Sequence, residues 1–267
     1  MKMKNIASAI ALLGLSCTAF AQTAAPAAAK APEPEYTLSY NLGATTDYRY
    51  RGISQSGRKP ALQGGVDLAL KSGLYLGAWA STITWIKDST ANPNTTKGPL
   101  EIDLYAGYKG EIAKDFSYDV GGLQYWYPTN NLGNTTGFAN PNTFELYGAL
   151  TYSFFTAKYS RSLSNTFGAT NSKGSDYLDL SANFDLGSGW SIVPHIGTQR
   201  IKNTSSSSSS SSFSYADYSL TVNKDIDGLV LSGAVIGTKQ TDAITLPGSG
   251  TKDLGKAGLV LSIKKNF

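Results

Sequence analysis

His195 is the only histidine in the 267 residues, and Cys17 is the only cysteine. Metal centres built from several histidines, or from thiolates, are therefore excluded. A hydrolase would have to use His195 as its general base. His195 lies in WSIVPHIGTQ, where alternation puts it on the more polar face, and two residues on stands Gly197, which carries no nucleophile. It reads as a packing or lining histidine, with a serine from a distant strand as the catalytic alternative. The Asp/Asn clusters at Asn92–Asn94 and Asn130–Asn142 lack the fixed acidic spacing of a calcium loop. The expectation is a protein with no enzymatic activity, no cofactor and no metal.

The densest charge cluster is Asp47, Arg49, Arg51, Arg58 and Lys59. In a channel it would form a basic constriction favouring anions. In a wall it would form salt bridges with Asp47, Asp67, Glu101 and Asp103. Both readings stay open. Asp119 and Glu145 complete the set of pore-lining or wall-bracing candidates, because each stands mid-segment among apolar neighbours on the opposite parity.

The elements that must position these residues show a period of two. From Tyr36 every second residue is apolar, small or aromatic (Tyr36, Leu38, Tyr40, Leu42), and the residues between are polar or small (Thr37, Ser39, Asn41, Gly43). That is a strand with two different faces. About twelve such segments follow one another, each near the ~9–11 residues a tilted strand needs to cross a bilayer. They lie near Tyr36–Arg51, Ala61–Leu70, Leu74–Trp85, Leu100–Tyr108, Phe116–Tyr127, Thr143–Tyr152, Phe155–Leu163, Ser175–Phe184, Trp190–Gln199, Tyr215–Lys224, Leu229–Thr238 and Gly255–Phe267. Short turns alternate with long polar loops, the pattern of an outer-membrane barrel whose short turns face the periplasm.

A Lys or Arg facing lipid at the bilayer centre costs roughly 2–4 kcal/mol. Asp67, Glu101, Asp103, Asp119, Glu145, Lys158, Asp179, Asp217, Lys256 and Lys264 should therefore point inward. Arg161 and Asp176 break this register. Leu74–Trp85 is apolar on both faces and gives no register of its own. Pro194 lacks the N–H of a ladder residue and predicts a local irregularity. Aromatics near segment ends (Tyr36, Tyr50, Trp85, Tyr108, Phe116, Trp126, Phe154, Trp190) predict interfacial girdles.

The chain opens with a basic start (Lys2, Lys4), an apolar run (Ile6–Leu15) and Ala19-Phe20-Ala21, the pattern of a signal peptide cleaved near Ala21. Its removal takes the net charge from +4 to +2, which leaves no nucleic-acid footprint. Residues 22–35 are Ala- and Pro-rich and read as a flexible periplasmic tail. The mean hydropathy of −0.19 looks soluble, but a barrel escapes hydropathy because lipid-facing and lumen-facing residues cancel. Ser205–Ser212 is low-complexity and belongs in a surface loop.

Thr46-Asp47-Tyr48, Arg51-Gly52-Ile53-Ser54-Gln55-Ser56 and Lys59-Pro60-Ala61-Leu62-Gln63-Gly64-Gly65 resemble the opening motif of the TorF family, which is classed among the porins of Gram-negative bacteria. EIDLYAGY (Glu101–Tyr108) and FELYGALTYSF (Phe144–Phe154) are similar to that family's barrel strands. The resemblance implies an outer-membrane barrel named a porin by analogy. The expected architecture is all-β: a transmembrane antiparallel up-and-down barrel over residues 36–267, set in outer-membrane lipid, passing small polar solutes. Its last residues alternate to Phe267, which resembles the C-terminal signal read by the barrel-assembly machinery. The alternative is a non-conducting barrel whose outer loops bind or anchor a partner.

Overall fold

The structure, a computed structural model, describes residues 11–12, 15–16, 34–92, 94–202, 214–240 and 243–267. The signal-peptide and tail readings, and the serine run, fall outside the described residues, except for residues 34–35 and the two dipeptides near the start, which pair with each other. The elements are β1 (Tyr36–Thr45), two short strands β2 (Arg49–Tyr50) and β3 (Ile53–Ser54), β4 (Ala61–Leu70), β5 (Leu74–Thr82), a one-turn helix α1 (Trp85–Asp88), β6 (Leu100–Ala113), β7 (Phe116–Trp126), β8 (Thr143–Tyr152), β9 (Phe155–Ser162), β10 (Asp176–Ala182) with its continuation β11 (Phe184–Gly187), β12 (Trp190–Arg200), β13 (Tyr215–Ile226), β14 (Leu229–Lys239) and β15 (Gly258–Asn266).

Counting β10 and β11 as one, and leaving β2 and β3 aside, 12 antiparallel strands close into a ring. Closure is made by β15 on β1, from Ser262↔Thr45 to Asn266↔Asn41. Phe267 extends it: its N–H donates to the Tyr40 carbonyl at 2.9 Å, and the Tyr40 N–H donates back at 3.3 Å. A closed ring leaves no unpaired edge, which is the condition for strands to cross a bilayer. The β10–β12 ladder runs to Ser181↔His195 and resumes at Phe184↔Ile192. Pro194 lies in that gap and has no N–H to give, so the irregularity falls where its chemistry requires one.

Register follows the alternation. Leu38, Leu42, Leu62, Leu104, Leu146 and Leu220 point outward and are exposed, whereas Glu101, Asp103, Asp119, Glu145, Asp179 and Asp217 point inward and are buried. In β5 the outward side is Leu74 and Leu76, and the inward side is Tyr75, Gly77 and Trp79. Its two apolar faces have different surroundings, lipid-like outside and an aromatic lumen inside. Arg161 and Asp176 pair across β9 and β10 at the long-loop rim, and Asp176 accepts from Arg200 at 2.7 Å.

Three expectations are corrected. The first strand stops at Thr45, because residues 46–60 turn into the barrel instead of lengthening the wall. Tyr50 and Trp85 join no girdle; they pack inside against Tyr125 and Tyr127. Lys256 precedes β15 and lies in a loop, not on an inward strand face.

Inside the ring, tyrosines lie over glycines of neighbouring strands. A Cβ on Gly77 would sit 2.5 Å from the Tyr105 ring, and Gly107, Gly121 and Gly197 are covered in the same way by Tyr75, Tyr147 and Tyr177. The missing side chain is what lets each ring lie flat on the wall.

Two measurements check this frame. Leu220, 51% exposed at mid-strand, changed to Arg should lower the unfolding free energy of the lipid-inserted protein by about 2–4 kcal/mol. Deleting Phe267 should lower the yield of heat-modifiable folded barrel, because it strips the last two hydrogen bonds from the closing seam.

Candidate functional site: the hairpin in the lumen

Residues 46–60 form a hairpin that folds from the long-loop end into the barrel. Its tip is a two-residue turn, Arg51-Gly52, between paired Tyr50 and Ile53. Both turn residues have positive φ, +46° and +80°, as a turn matched to the twist of its flanking strands requires. At Gly52 there is also no room: a Cβ would meet Asp217 Cβ at 2.7 Å and Thr238 Cγ2 at 2.8 Å, on β13 and β14. The hairpin therefore leaves the wall at β1 and β4 and touches it again across the lumen.

Asp47 builds the hairpin. Its carboxylate accepts from Arg49 Nε at 2.6 Å, from Ser54 Oγ at 2.5 Å and from Ser56 Oγ at 3.3 Å. Ser56 Oγ also accepts from the Tyr48 N–H, and Ser54 Oγ from the Arg58 N–H. Arg49 Nη1 donates to the carbonyls of Gly52, Leu254 and Lys256, and Arg58 Nη2 donates to Lys256, which stitches the hairpin to the loop before β15.

Arg51 anchors the tip. Only 6% exposed, its guanidinium donates to Glu145 Oε2 on β8 at 2.7 Å and to Gln199 Oε1 on β12 at 2.5 Å. It lies over the rings of Tyr177 (4.2 Å) and Tyr50 (4.8 Å). Charge-assisted bonds and two aromatic faces replace the water that a buried guanidinium loses. Beside it, the Tyr50 and Tyr125 hydroxyls bond at 2.6 Å, and the Tyr48 hydroxyl bonds Glu101. Burial, and next the charge on Glu101, hold the Tyr48 phenol well above its ordinary pKa, so it stays a donor.

The expected arginine–carboxylate network is only partly present. Arg49 pairs with Asp47, and Arg51 with Glu145. Asp67, Glu101 and Asp119 are instead met by tyrosines: Tyr105, Tyr48 and Tyr75 respectively. Asp103 is buried, and its Oδ1 has no hydrogen-bond partner among the described residues. Phenols suit this task, since they neutralise no charge but satisfy lone pairs. Gln199, Tyr125 and Tyr177 were missed as site residues because only strand register brings them to the hairpin, and Tyr48 and Tyr50 because they read as residues of a wall strand. The turn itself left a signal: a 16-residue first strand exceeds what a bilayer crossing needs.

His195 has Nε2 at 2.7 Å from Asp179 and at 3.1 Å from the Tyr177 hydroxyl, with Nδ1 at 3.6 Å from Asp217. Both ring nitrogens face carboxylates. Ser181 and Ser219 flank it in register, yet neither hydroxyl is bonded to it among the described residues. No group of three or more His, Cys, Asp and Glu side chains among those residues is placed to hold a metal ion.

Beneath the hairpin, a cavity of about 280 Å³ is roofed by Asp47, Tyr48 and Arg49 and extends toward the short-turn end as far as Asn223 and Lys264.

A family model described as "Bacterial protein of unknown function (Gcw_chp)" matches residues 28–267. No curated protein sequence matches the chain. Among solved structures, the KdgM porin is similar at a TM-score of 0.52 and 7% identity, over 86% of this chain and 99% of that one. The NanC porin is similar at 0.52 and 8%, over the same shares. At such identities the likeness is one of fold.

Breaking the Arg51 anchor has a defined cost. Removing one partner of a buried pair destabilises by roughly 3–5 kcal/mol, because the other charge is left uncompensated. Arg51→Ala should therefore lower the melting temperature, and Arg51→Ala combined with Glu145→Gln should recover part of the loss in a double-mutant cycle.

Proposed function

Because the chain belongs to the Gcw_chp family of bacterial proteins, for which no function is given, we propose from its own lumen that it is an outer-membrane channel for small polar solutes, with the hairpin of residues 46–60 as its constriction. The observation that carries this is the pairing of an inward hairpin with a cavity lined by both polar and apolar side chains inside a closed 12-strand ring. About eight strands are filled by their own side chains and 16–18 leave a wide pore; a ring of intermediate size can be narrowed by one hairpin. The short turns then face the periplasm and the long loops face outward. The TorF likeness of Thr46–Gly65 belongs to the same proposal, as does recognition of Phe267 by the barrel-assembly machinery.

Mechanistically, the barrel would act by size and polarity and without covalent chemistry. Support for the non-enzymatic reading comes from His195, whose two nitrogens both face carboxylates; a general base needs one nitrogen free for the proton it takes. His195→Ala should leave solute flux in liposome swelling little changed. Ester hydrolysis by pure wild-type protein that vanished in this variant would overturn the reading.

A non-conducting barrel is the second reading, and the fit of Gly52 against β13 and β14 favours it. Single-channel recording separates the two. The channel reading expects small steps from wild type and larger ones from Arg51→Ala or from a hairpin shortened between Gly52 and Pro60. Silence from all three proteins would establish the plugged barrel instead.

A further inference from the structure

The lumen has two unlike halves. On the arc from β4 to β9, the inward positions carry Tyr75, Tyr105, Tyr147 and Trp79 together with five carboxylates, and the rings fill the space above the wall. On the arc from β10 through β12–β15 to β1, the inward positions are small and mostly uncharged, among them Ser181, Ser219, Thr221, Asn223, Ser232 and Ser262. The cavity is lined mainly by this second arc, where Val193, Ala234 and Val260 lie among the hydroxyls, and Gln63 and Trp79 of the first arc complete it.

Asn223, Ser232 and Ser262 are bonded along the wall, to Ser191, to Asn223 and to Thr45 respectively. The hydroxyls of Ser181, Ser219 and Thr221 have no hydrogen-bond partner among the described residues, so each can both donate and accept. The charges that reach the cavity are already engaged. Arg49 is bonded to Asp47 at 2.6 Å, His195 stands between Asp179 and Asp217, and Lys264 is not free either. A charged solute would lose water here without meeting an uncompensated opposite charge. A neutral sugar-like solute would exchange its water for these hydroxyls and lay its C–H faces on Val193, Ala234 and Val260. The volume, about 280 Å³, lies just below the ~300–1,000 Å³ range of ligand pockets, which suits a single sugar ring or a short polyol.

We propose that this wall is the solute path, a track for uncharged polyhydroxylated solutes of monosaccharide size. The proposal rests on the channel reading above and adds to it where the path runs and what it selects.

The test introduces a single cysteine at Ser219, at Thr221 or, on the aromatic arc, at half-buried Ser117, each in a Cys17→Ser background. These changes are nearly isosteric, and a heat-modifiable band verifies folding. After reaction with a bulky uncharged maleimide, conductance should fall severalfold for Ser219→Cys and Thr221→Cys and stay near its starting value for Ser117→Cys. In liposome swelling, wild type should pass a neutral hexose severalfold faster than the corresponding hexuronate. Block at Ser117 without block at the other two would overturn the path, and so would folded proteins whose Ser219 and Thr221 cysteines fail to react. Faster hexuronate entry would overturn the solute class while leaving a channel. Silence of unmodified wild type and of the hairpin-shortened protein would remove the channel reading, and this proposal with it.

Discussion

The backbone hydrogen-bond ladder has to close on itself, and the rest of the structure follows from that. A strand in hydrocarbon cannot borrow water for its N–H and C=O groups, and each unsatisfied group costs several kcal/mol. The chain meets this with twelve strands joined to sequence neighbours and a seam from β15 to β1, carried to its last residue by the Tyr40–Phe267 pair. One interruption of the ladder lies beside Pro194, a residue with no N–H to place. Alternation is the second consequence, since a wall with lipid on one side and polar groups on the other must change character at every residue.

Closure creates an interior that the strands alone do not fill. Facing side chains cannot meet across twelve strands, so buried carboxylates on the inner wall need partners brought to them. Two devices supply these. Tyrosines laid over glycines of the next strand reach Asp67 and Asp119 locally. The hairpin supplies the rest, bringing Tyr48 to Glu101 and Arg51 to Glu145 and Gln199. A buried ion pair is weak as a source of stability but strong as a way to fix one arrangement, because a misplaced guanidinium would leave two charges without partners. Arg51 sets the hairpin's position in this sense.

Positioning the hairpin divides the lumen. Where it meets the aromatic arc, rings and carboxylates pack closely. Where it passes the serine-rich arc, Asp47 and Arg49 neutralise each other and roof an open space. The seated hairpin and the cavity are thus two results of one fold: the hairpin occupies what the large side chains leave on one side and covers what the small ones leave on the other.

The period of two along Tyr36–Thr45, Leu100–Tyr108 and Gly258–Asn266 determined strand identity, the inward carboxylates and the closed ring, because lipid and water each impose their preference on single residues and need no distant partner. The irregularity at Pro194 was readable for the same local reason. The register of Leu74–Thr82 was not, since Leu and Tyr are both apolar and only the neighbouring strands decide which of them lies toward lipid. The partners of Asp67, Glu101 and Arg51 were also hidden. Tyr105, Tyr48 and Glu145 stand 38, 53 and 94 residues away in the chain, and what joins them is strand tilt and ring closure. The inward turn of Asp47–Lys59 was half visible, in a first strand too long for a bilayer and in Arg51-Gly52 between two alternating runs. Its direction came from the tertiary structure, because a charged hairpin can be solvated outside the barrel or satisfied within it. Only the assembled wall, with Glu145, Gln199 and Tyr177 converging on one point, makes the inside the better solvent for Arg51.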